Sequence, residues 1–415
     1  MRIQNGTLVL PDRLVPNGSL IIDESSGRIA AVGPESELGK AHPGETIIDA
    51  RGGLIAPGFI DLHSHGGWDG DFTDGTPEAF AAARAYHAGQ GTTALLATTA
   101  SARPEALLDA LAVARALMSD GAPADGSELL GVHLEGPWLN PARKGCHLER
   151  DIRLPDAAEV RRILAYAPII RHVTLAPEMP GALELTAQLA AAGITVAAGH
   201  TDMTYTEMLE AIAAGVRHVT HLFCAMSTTI RRGAYRYAGV LETTLIEDRV
   251  TTEVIADGKH LPTALVRLAH RCKGADGLAI VSDAMRGAGM PPGGRYTFGA
   301  RDGAEVVIDD GVAMLPDRSA FASSTTPLRL MVKHCVEAVG LPLLEAVRMA
   351  SLVPARIAGV AGRKGSLEPG KDGDVCLLDE AFGLRAVVLR GRLLDPRRLR
   401  AHAPAEALAI GSAFL

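Results

Sequence analysis

The stretch FIDLHSH, residues 59–65, is an apolar run that ends in two histidines, and similar runs recur along the chain. Ala- and Leu-rich stretches of helical period separate them at intervals of about 20 to 40 residues. Eight runs can be counted: FIDLHSH (59–65), TTALLAT (92–98), LLGVHLE (129–135), HVTLAPE (172–178), ITVAAGH (194–200), HVTHLF (218–223), TEVIAD (252–257) and LAIVSD (278–283). Eight strand and helix repeats predict an α/β fold, a closed (β/α)8 barrel of the TIM type, rather than an open doubly wound sheet.

The two ends of the chain have a different texture. Short alternating runs such as GTLVL, GSLIID and RIAAVG fill the first fifty residues, separated by Gly, Pro and Asn. The last fifty residues repeat this texture in SLEPG and DGDVCLLD. Such runs are typical of small antiparallel strands, so both ends are predicted to be β-rich.

Composition and charge exclude several classes of function. The 415 residues carry a formal net charge of −7, which leaves no basic stripe for a nucleic acid. We expect no membrane span and no export signal, because no long apolar run and no charged, then apolar, N-terminal segment occurs. Five cysteines, without CxxC spacing, favour reduced thiols and a cytoplasmic location.

Polar residues with metal-binding chemistry fall at the C-terminal ends of the predicted strands, the face where barrels of this type carry active sites. His63 and His65 lie two residues apart, so both imidazoles should point into the barrel, about 6.5–7 Å from each other. An isolated HxH pair is a weak signal and could be structural. The six candidate ligands are His63, His65, Glu135, His200, His221 and Asp283.

Each of these residues also has an individual interpretation. Glu135 would be a costly charge among imidazoles without a cation, although it could instead cap a helix or form a surface ion pair. His200 and His221, from adjacent strands, could complete a three-ligand site with an open position, or be satisfied core histidines. Asp283 is the candidate general base, and its alternative is to orient a ligand or cap a helix.

Two further histidines follow strands in loops, where they could reach a substrate: His147 in RKGCHLER and His260 in ADGKHLP. Their alternative is a surface position. We expect His133 to pack one layer below Glu135, and His218 to lie at the wrong end of its strand for the site.

The chain resembles the amidohydrolase superfamily and, within it, the N-acetylglucosamine-6-phosphate deacetylase family. The resemblance spans nearly the whole chain, and the HLEGPWLNPARKGCH block is specific to these deacetylases. The other matching motifs are APGFIDLHSHG, GHTD, VTHLFCAMS, DGKH, SDAM and the closing GSLEPGKDGDVCLLD.

The resemblance implies a domain organisation and a cofactor. Residues 1–57 and 360–415 would form a small β-sandwich, residues 58–359 the catalytic barrel, and the protein would be a homodimer. Many amidohydrolases bridge two metals with a lysine after strand four, whereas here that strand ends in LAPE. By resemblance, Glu135 takes that place and binds one divalent metal with His200 and His221. A second metal would use His63, His65 and Asp283, with zinc or iron expected in both sites.

The reaction implied by the resemblance is hydrolysis of the acetamide of an N-acetyl amino sugar phosphate. Asp283 would take a proton from the attacking water and give it to the leaving amine. His147 would donate a hydrogen bond to the oxyanion. The residues expected against the substrate are Cys146, His147, Cys224, Ala225, Arg231, Arg232, His260, Phe321, Ala322 and Ser323.

Departures from the family pattern lie around the sugar and its phosphate. Cys224 stands where the family has an asparagine, and it cannot offer the donors and acceptor of an amide. It could be a metal ligand or, as free cysteine usually is, a small buried hydrophobe. Arg231 or Arg232, with His260, would meet the phosphate. Ser323 replaces a glycine and would narrow the site.

Three hypotheses therefore remain. The first is a deacetylase of N-acetylglucosamine 6-phosphate. The second keeps this chemistry but acts on another N-acyl amino sugar, either the galacto epimer or a sugar without phosphate. The third is a scaffold that binds without catalysing, against which stands the complete set of ligands and base.

Overall fold

A computed structural model describes residues 1–119 and 125–409 of the chain. Its central feature is a sheet of eight parallel strands: β6 (Phe59–Ser64), β9 (Thr92–Thr99), β10 (Glu128–Glu135), β11 (Ile170–Leu175), β12 (Thr195–Ala198), β13 (Val216–Val219), β16 (Thr251–Ile255) and β17 (Leu278–Val281). These strands lie side by side in the order in which they occur along the chain. A parallel bridge between Ser64 and Ala284 joins the first strand to the end of the last, which closes the barrel.

Helices surround these strands, and the predicted (β/α)8 barrel is confirmed. The strands are almost wholly buried, as expected of parallel strands covered on both faces. The helices are α1 (Pro77–Ala88), α2 (Pro104–Ser119), α3 (Ala157–Leu164), α4 (Ala182–Ala191), α5 (Tyr205–Ala214), α6 (Val240–Ile246), α7 (Thr263–Lys273), α8 (Leu328–His334), α9 (Leu343–Met349), α10 (Leu352–Ile357), α11 (Pro396–Arg400) and α12 (Ala405–Ala409).

The two ends of the chain meet in a second eight-stranded sheet, as their β-rich texture predicts. Its strands are β1 (Arg2–Val9), β2 (Leu14–Asp23), β3 (Arg28–Pro34), β4 (Ile47–Asp49), β5 (Leu54–Pro57), β22 (Val375–Leu378), β23 (Leu384–Leu389) and β24 (Arg392–Leu393). Strand β5 pairs in parallel with β1 and antiparallel with β22, which joins the N-terminal and C-terminal strands. This sheet packs its own apolar core, separate from that of the barrel. The domain limits 1–57 with 360–415, and 58–359, stay a prediction.

Three small sheets lie in the loops that follow barrel strands. The largest has four antiparallel strands and follows the eighth barrel strand, so its last strand can reach back to the barrel mouth. The first small sheet pairs β7 (Gly66–Gly67) with β8 (Gly70–Asp71), and the second pairs β14 (Ile230–Arg232) with β15 (Tyr235–Tyr237). The four-stranded sheet consists of β18 (Arg295–Phe298), β19 (Ala304–Asp309), β20 (Val312–Met314) and β21 (Phe321–Ser324).

Two further expectations concern the chain as a whole. Among the described residues, no helix is both long enough and apolar enough to cross a bilayer. The five cysteines are free thiols, in agreement with the prediction of reduced cysteines.

Candidate active site and metal centre

The candidate ligands sit just beyond the strands rather than inside them. The fifth, sixth and eighth barrel strands end at Ala198, Val219 and Val281, each two residues before a candidate ligand. His200, His221 and Asp283 have φ angles of 49°, 28° and 46°, in the left-handed region that L residues seldom adopt. This turn ends the strand ladder, so the prediction that His221 lies within strand six is wrong. Such strain is typical of sites where the chain must aim a side chain.

Glu135 is the centre of the cluster, buried at the end of β10. The Nε2 atoms of His200 and His221 each lie 3.1 Å from its Oε1, and they are 3.1 Å from each other. The two strand-one histidines also contact this carboxylate: His65 Nε2 lies 3.2 Å from Oε2, and His63 Nε2 lies 3.4 Å from Oε1. Two groups with metal-ligand geometry therefore share one carboxylate: His63, His65 and Glu135, and Glu135, His200 and His221.

The hydrogen bond that His200 makes through Nδ1 favours a cation in this cluster. Its Nδ1 lies 2.8 Å from the carbonyl oxygen of Arg143, which can only accept a hydrogen bond. In neutral His200 the proton is therefore on Nδ1, and the lone pair of Nε2 faces the Glu135 oxygen. Two acceptors this close repel each other unless a cation or an extra proton lies between them. His63 has the same arrangement, since its Nδ1 lies 2.7 Å from a carboxylate oxygen of Glu253.

The spacing of the donor atoms also fits a metal. Tetrahedral zinc, with bonds of about 2.0–2.1 Å to nitrogen, holds neighbouring ligand atoms about 3.3 Å apart. The observed separations are 3.1 Å between His200 and His221 Nε2, and 3.3 Å between His63 and His65 Nε2. Histidine nitrogen and carboxylate oxygen suit zinc and iron among other divalent metals. Both groups could therefore hold a divalent cation.

Asp283 lies beside the His63 and His65 group. Its Oδ1 is 3.3 Å from His65 Nε2 and 3.6 Å from His63 Nε2. Burial alone would raise the pKa of Asp283, but its electrostatic interaction with His63 and the hydrogen bond from His65 lower it below its ordinary value. The carboxylate is thus ionised and can accept a proton.

His147 presents a hydrogen-bond donor to the same centre. The backbone N–H of Ser101 donates to its Nδ1 at 3.1 Å, so the ring proton is on Nε2. Burial lowers the pKa of His147 to about 4, which keeps the ring neutral. Its Nε2–H points to Glu135 Oε2 at 3.3 Å.

Glu253, in the middle of the seventh barrel strand, is a residue of the site that the sequence interpretation missed. This fully buried carboxylate accepts hydrogen bonds from His63 Nδ1 at 2.7 Å, His218 Nε2 at 3.1 Å and the backbone N–H of His221 at 3.2 Å. Burial alone would raise its pKa, but His63 and His218 hold the pKa well below its usual range. Its position in an apolar strand was the signal, because an unpaired carboxylate there would be costly.

A cavity of about 540 Å³ opens above the cluster, with Glu135, His200, His221 and Asp283 in its wall. Arg143 and Phe298, which no sequence motif pointed to, also line it. Among the residues predicted to meet a substrate, those that line this cavity are Cys146, His147, Cys224, Ala225, His260, Phe321 and Ala322.

Three predicted substrate residues lie elsewhere. Arg231 and Arg232 belong to the exposed β14–β15 hairpin, where the Arg231 side chain donates to the Gly233 carbonyl and Arg232 stacks on Tyr237. Ser323 is buried behind Asp283 and donates to its carbonyl oxygen, so it buttresses that residue instead of narrowing the cavity.

Residues 54–394 match the Amidohydrolase family. The chain belongs to the amidohydrolase family. It is 33% identical to the N-acetylglucosamine-6-phosphate deacetylase of Vibrio furnissii, over 91% of this chain and 90% of that protein. It is also 33% identical to the N-acetylgalactosamine-6-phosphate deacetylase of Escherichia coli O157:H7, over 84% of this chain and 89% of that one.

A solved structure extends the similarity of this amidohydrolase to the fold. The crystal structure of the N-acetyl-D-glucosamine-6-phosphate deacetylase of Mycobacterium smegmatis superposes with a TM-score of 0.84 at 34% identity. The match covers 95% of this chain and 100% of that one. The barrel and the terminal sheet of this amidohydrolase are therefore both shared with a deacetylase of known structure.

Proposed function

We propose that this amidohydrolase removes the acetyl group from N-acetyl-D-glucosamine 6-phosphate, in a metal-dependent hydrolysis that yields D-glucosamine 6-phosphate and acetate. The observation that carries the proposal is the convergence of two metal-ligand groups and an ionised Asp283 at the wall of one cavity. The names of the relatives supply the substrate, since this cavity by itself defines only the chemistry.

Glu135, His200 and His221 would hold one divalent cation, and His63, His65 and Asp283 would hold a second, with Glu135 between the two. Zinc and iron are the expected metals. A cation held there supplies Lewis-acid chemistry, because it lowers the pKa of water and polarises an amide carbonyl. Hydrogen bonds at Nδ1 already orient two of these histidines to bind a cation through Nε2. His63 donates to Glu253, and His200 donates to the Arg143 carbonyl.

The protein's own groups handle the proton and the oxyanion. Asp283, ionised and within reach of the centre, takes a proton from the attacking water. His147 donates its Nε2–H to the acetyl oxygen as charge develops there. When the bond between the acetyl carbon and the sugar nitrogen breaks, Asp283 returns its proton to that nitrogen. The products are acetate and the free amino sugar.

A second candidate is the same reaction on another N-acetyl amino sugar. The N-acetylgalactosamine-6-phosphate deacetylase of Escherichia coli and the N-acetylglucosamine-6-phosphate deacetylase of Vibrio furnissii are each 33% identical to this chain. Arg231 and Arg232 lie outside the cavity lining, which leaves the unphosphorylated sugar as a further alternative. A scaffold without activity is disfavoured, because all six ligand and base side chains are present and converge.

A substrate panel tests the proposal. Metal-reconstituted protein would be supplied with N-acetylglucosamine and N-acetylgalactosamine, each with and without a 6-phosphate, and acetate release would be measured. We expect the highest kcat/KM for N-acetylglucosamine 6-phosphate. A preference for the galacto epimer or for an unphosphorylated sugar would select the second candidate, and no acetate from any of the four would overturn the proposal.

Assembly as a homodimer and a cytoplasmic location stay predictions. Sedimentation of the purified protein tests the first, and fractionation of the cells that produce it tests the second.

A further inference from the structure

A second cavity, of about 420 Å³, lies at the opposite pole of the barrel. Glu128, in its wall, begins the strand that Glu135 ends, so the two poles are about 23 Å apart at 3.3 Å per residue. The cavity lies between the barrel and the terminal sheet. Arg84 and Arg171 reach it from α1 and β11, and Arg28 and Arg390 reach it from the terminal sheet.

The carboxylates of this cavity are already used by other cations. Arg363 forms ion pairs with both Glu128 and Asp372. The buried Lys364 lies 2.8 Å from Glu128 and 3.1 Å from Asp372. In contrast, no ion pair within residues 1–119 and 125–409 involves Arg28, Arg84, Arg171 or Arg390, although the charge of Glu128 acts on Arg84 at longer range.

Arg84 is the most informative of the four arginines, because it is only 4% exposed. Its Nε donates to the Ser127 carbonyl at 2.8 Å, while its buried Nη2 has no hydrogen-bond partner among the described residues. Burial lowers the pKa of Arg84 to about 10, although the charge of Glu128 opposes this shift. A buried guanidinium of this kind is stabilised by an anion.

The neighbouring arginines meet only neutral groups. Arg28 Nη1 donates to the Gly370 carbonyl at 2.6 Å, and Arg171 Nε donates to the Leu130 carbonyl at 3.3 Å. Arginine presents planar pairs of N–H donors that match the oxygens of phosphate. Together with Arg363, these four arginines outnumber the two carboxylates of the cavity wall, Glu128 and Asp372.

We propose that this cavity is a second ligand site of the protein, which binds a phosphate dianion, either free or as the phosphate of a small sugar monoester. The proposal stands independently of the reaction at the other pole, since no residue is shared between the two cavities. Because the arginines come from both the barrel and the terminal sheet, the bound anion would link the two and stabilise the fold.

Isothermal calorimetry on the metal-loaded protein tests the site, with inorganic phosphate and glucose 6-phosphate as probes and chloride holding the ionic strength constant. The variant is the double substitution R171Q and R390Q, at two exposed arginines, so that folding is retained. The control is R271Q, an exposed arginine of α7 that likewise forms no ion pair among the described residues. A second variant, R84K, keeps the buried charge but removes the guanidinium fork.

We expect one class of phosphate binding to weaken at least tenfold in the double variant and in R84K, and to be unchanged in R271Q. Phosphate should raise Tm of the wild type by about 2–4 °C, and the double variant should lose this shift. Tighter binding of glucose 6-phosphate than of phosphate would assign the ligand as a monoester, and the reverse order would assign it as free phosphate. Equal binding by wild type and double variant, or an equal shift with chloride alone, would overturn the proposal.

Discussion

The substitution Glu253→Gln tests whether the buried carboxylate below the site controls metal binding. Glu253 accepts from His63 Nδ1 at 2.7 Å, His218 Nε2 at 3.1 Å and the His221 backbone at 3.2 Å. Glutamine has the same size but only one acceptor oxygen, so at least one imidazole loses its partner. A buried hydrogen bond to a charged group contributes about 1.5–3 kcal/mol. If that energy orients His63 for a cation, metal affinity should fall by about 10- to 100-fold.

The assay is competition for zinc between the apoprotein and a chromophoric chelator, which gives a dissociation constant without any need for activity. Circular dichroism and Tm of the apoprotein would show that the variant is folded. Glu159→Gln is the matched control, because Glu159 is also a buried carboxylate but pairs with Arg153 and forms no hydrogen bond with a candidate ligand. A folded Glu253→Gln protein with the zinc affinity of the wild type would refute the reasoning.

Three further substitutions address the site itself. Asp283→Asn should lower kcat by about 10²- to 10⁴-fold while metal stays bound at the Glu135 group, because the proton acceptor is lost; near-normal acetate release would remove Asp283 from that role. His63→Asn combined with His65→Asn should remove about half of the bound metal in elemental analysis. His42→Asn, at an exposed histidine, is the control. A metal content of the double variant equal to that of the wild type would contradict a two-metal centre. His147→Ala should lower kcat by about 10²- to 10³-fold with unchanged metal content, because an oxyanion donor is lost; a change in KM alone would contradict this role.

Much of the fold could be predicted because local patterns and tertiary structure agree. The sequence PEAFAAARAYHAG, residues 77–89, has helical period and forms the helix Pro77–Ala88, since Thr76 caps its start and proline occupies the first turn. The third strand, predicted over 129–135, is observed as Glu128–Glu135. In each case the apolar residues whose spacing predicts the element also form the face that is buried in the barrel.

The strand ends were less predictable, for a physical reason. Runs such as ITVAAGH read as continuous strand up to the histidine, yet the observed strand stops at Ala198. His200 then adopts a left-handed backbone, with φ of 49°, that no propensity favours. Contacts with Glu135 and the Arg143 carbonyl hold it there, and both come from distant parts of the chain.

Phosphate recognition is the part that motifs predict least well, because an arginine can bind an anion only if its charge is free. At the mouth of the active-site cavity, Arg143 lines the wall, but its Nη2 is 2.6 Å from Asp202. His260 is held in the same way by Asp257 at 2.7 Å. A substrate phosphate would therefore compete with existing carboxylates or recruit the hairpin arginines. At the other pole the carboxylates pair with Arg363 and Lys364, so the four arginines without an ion pair there have no such direct competitor among the described residues.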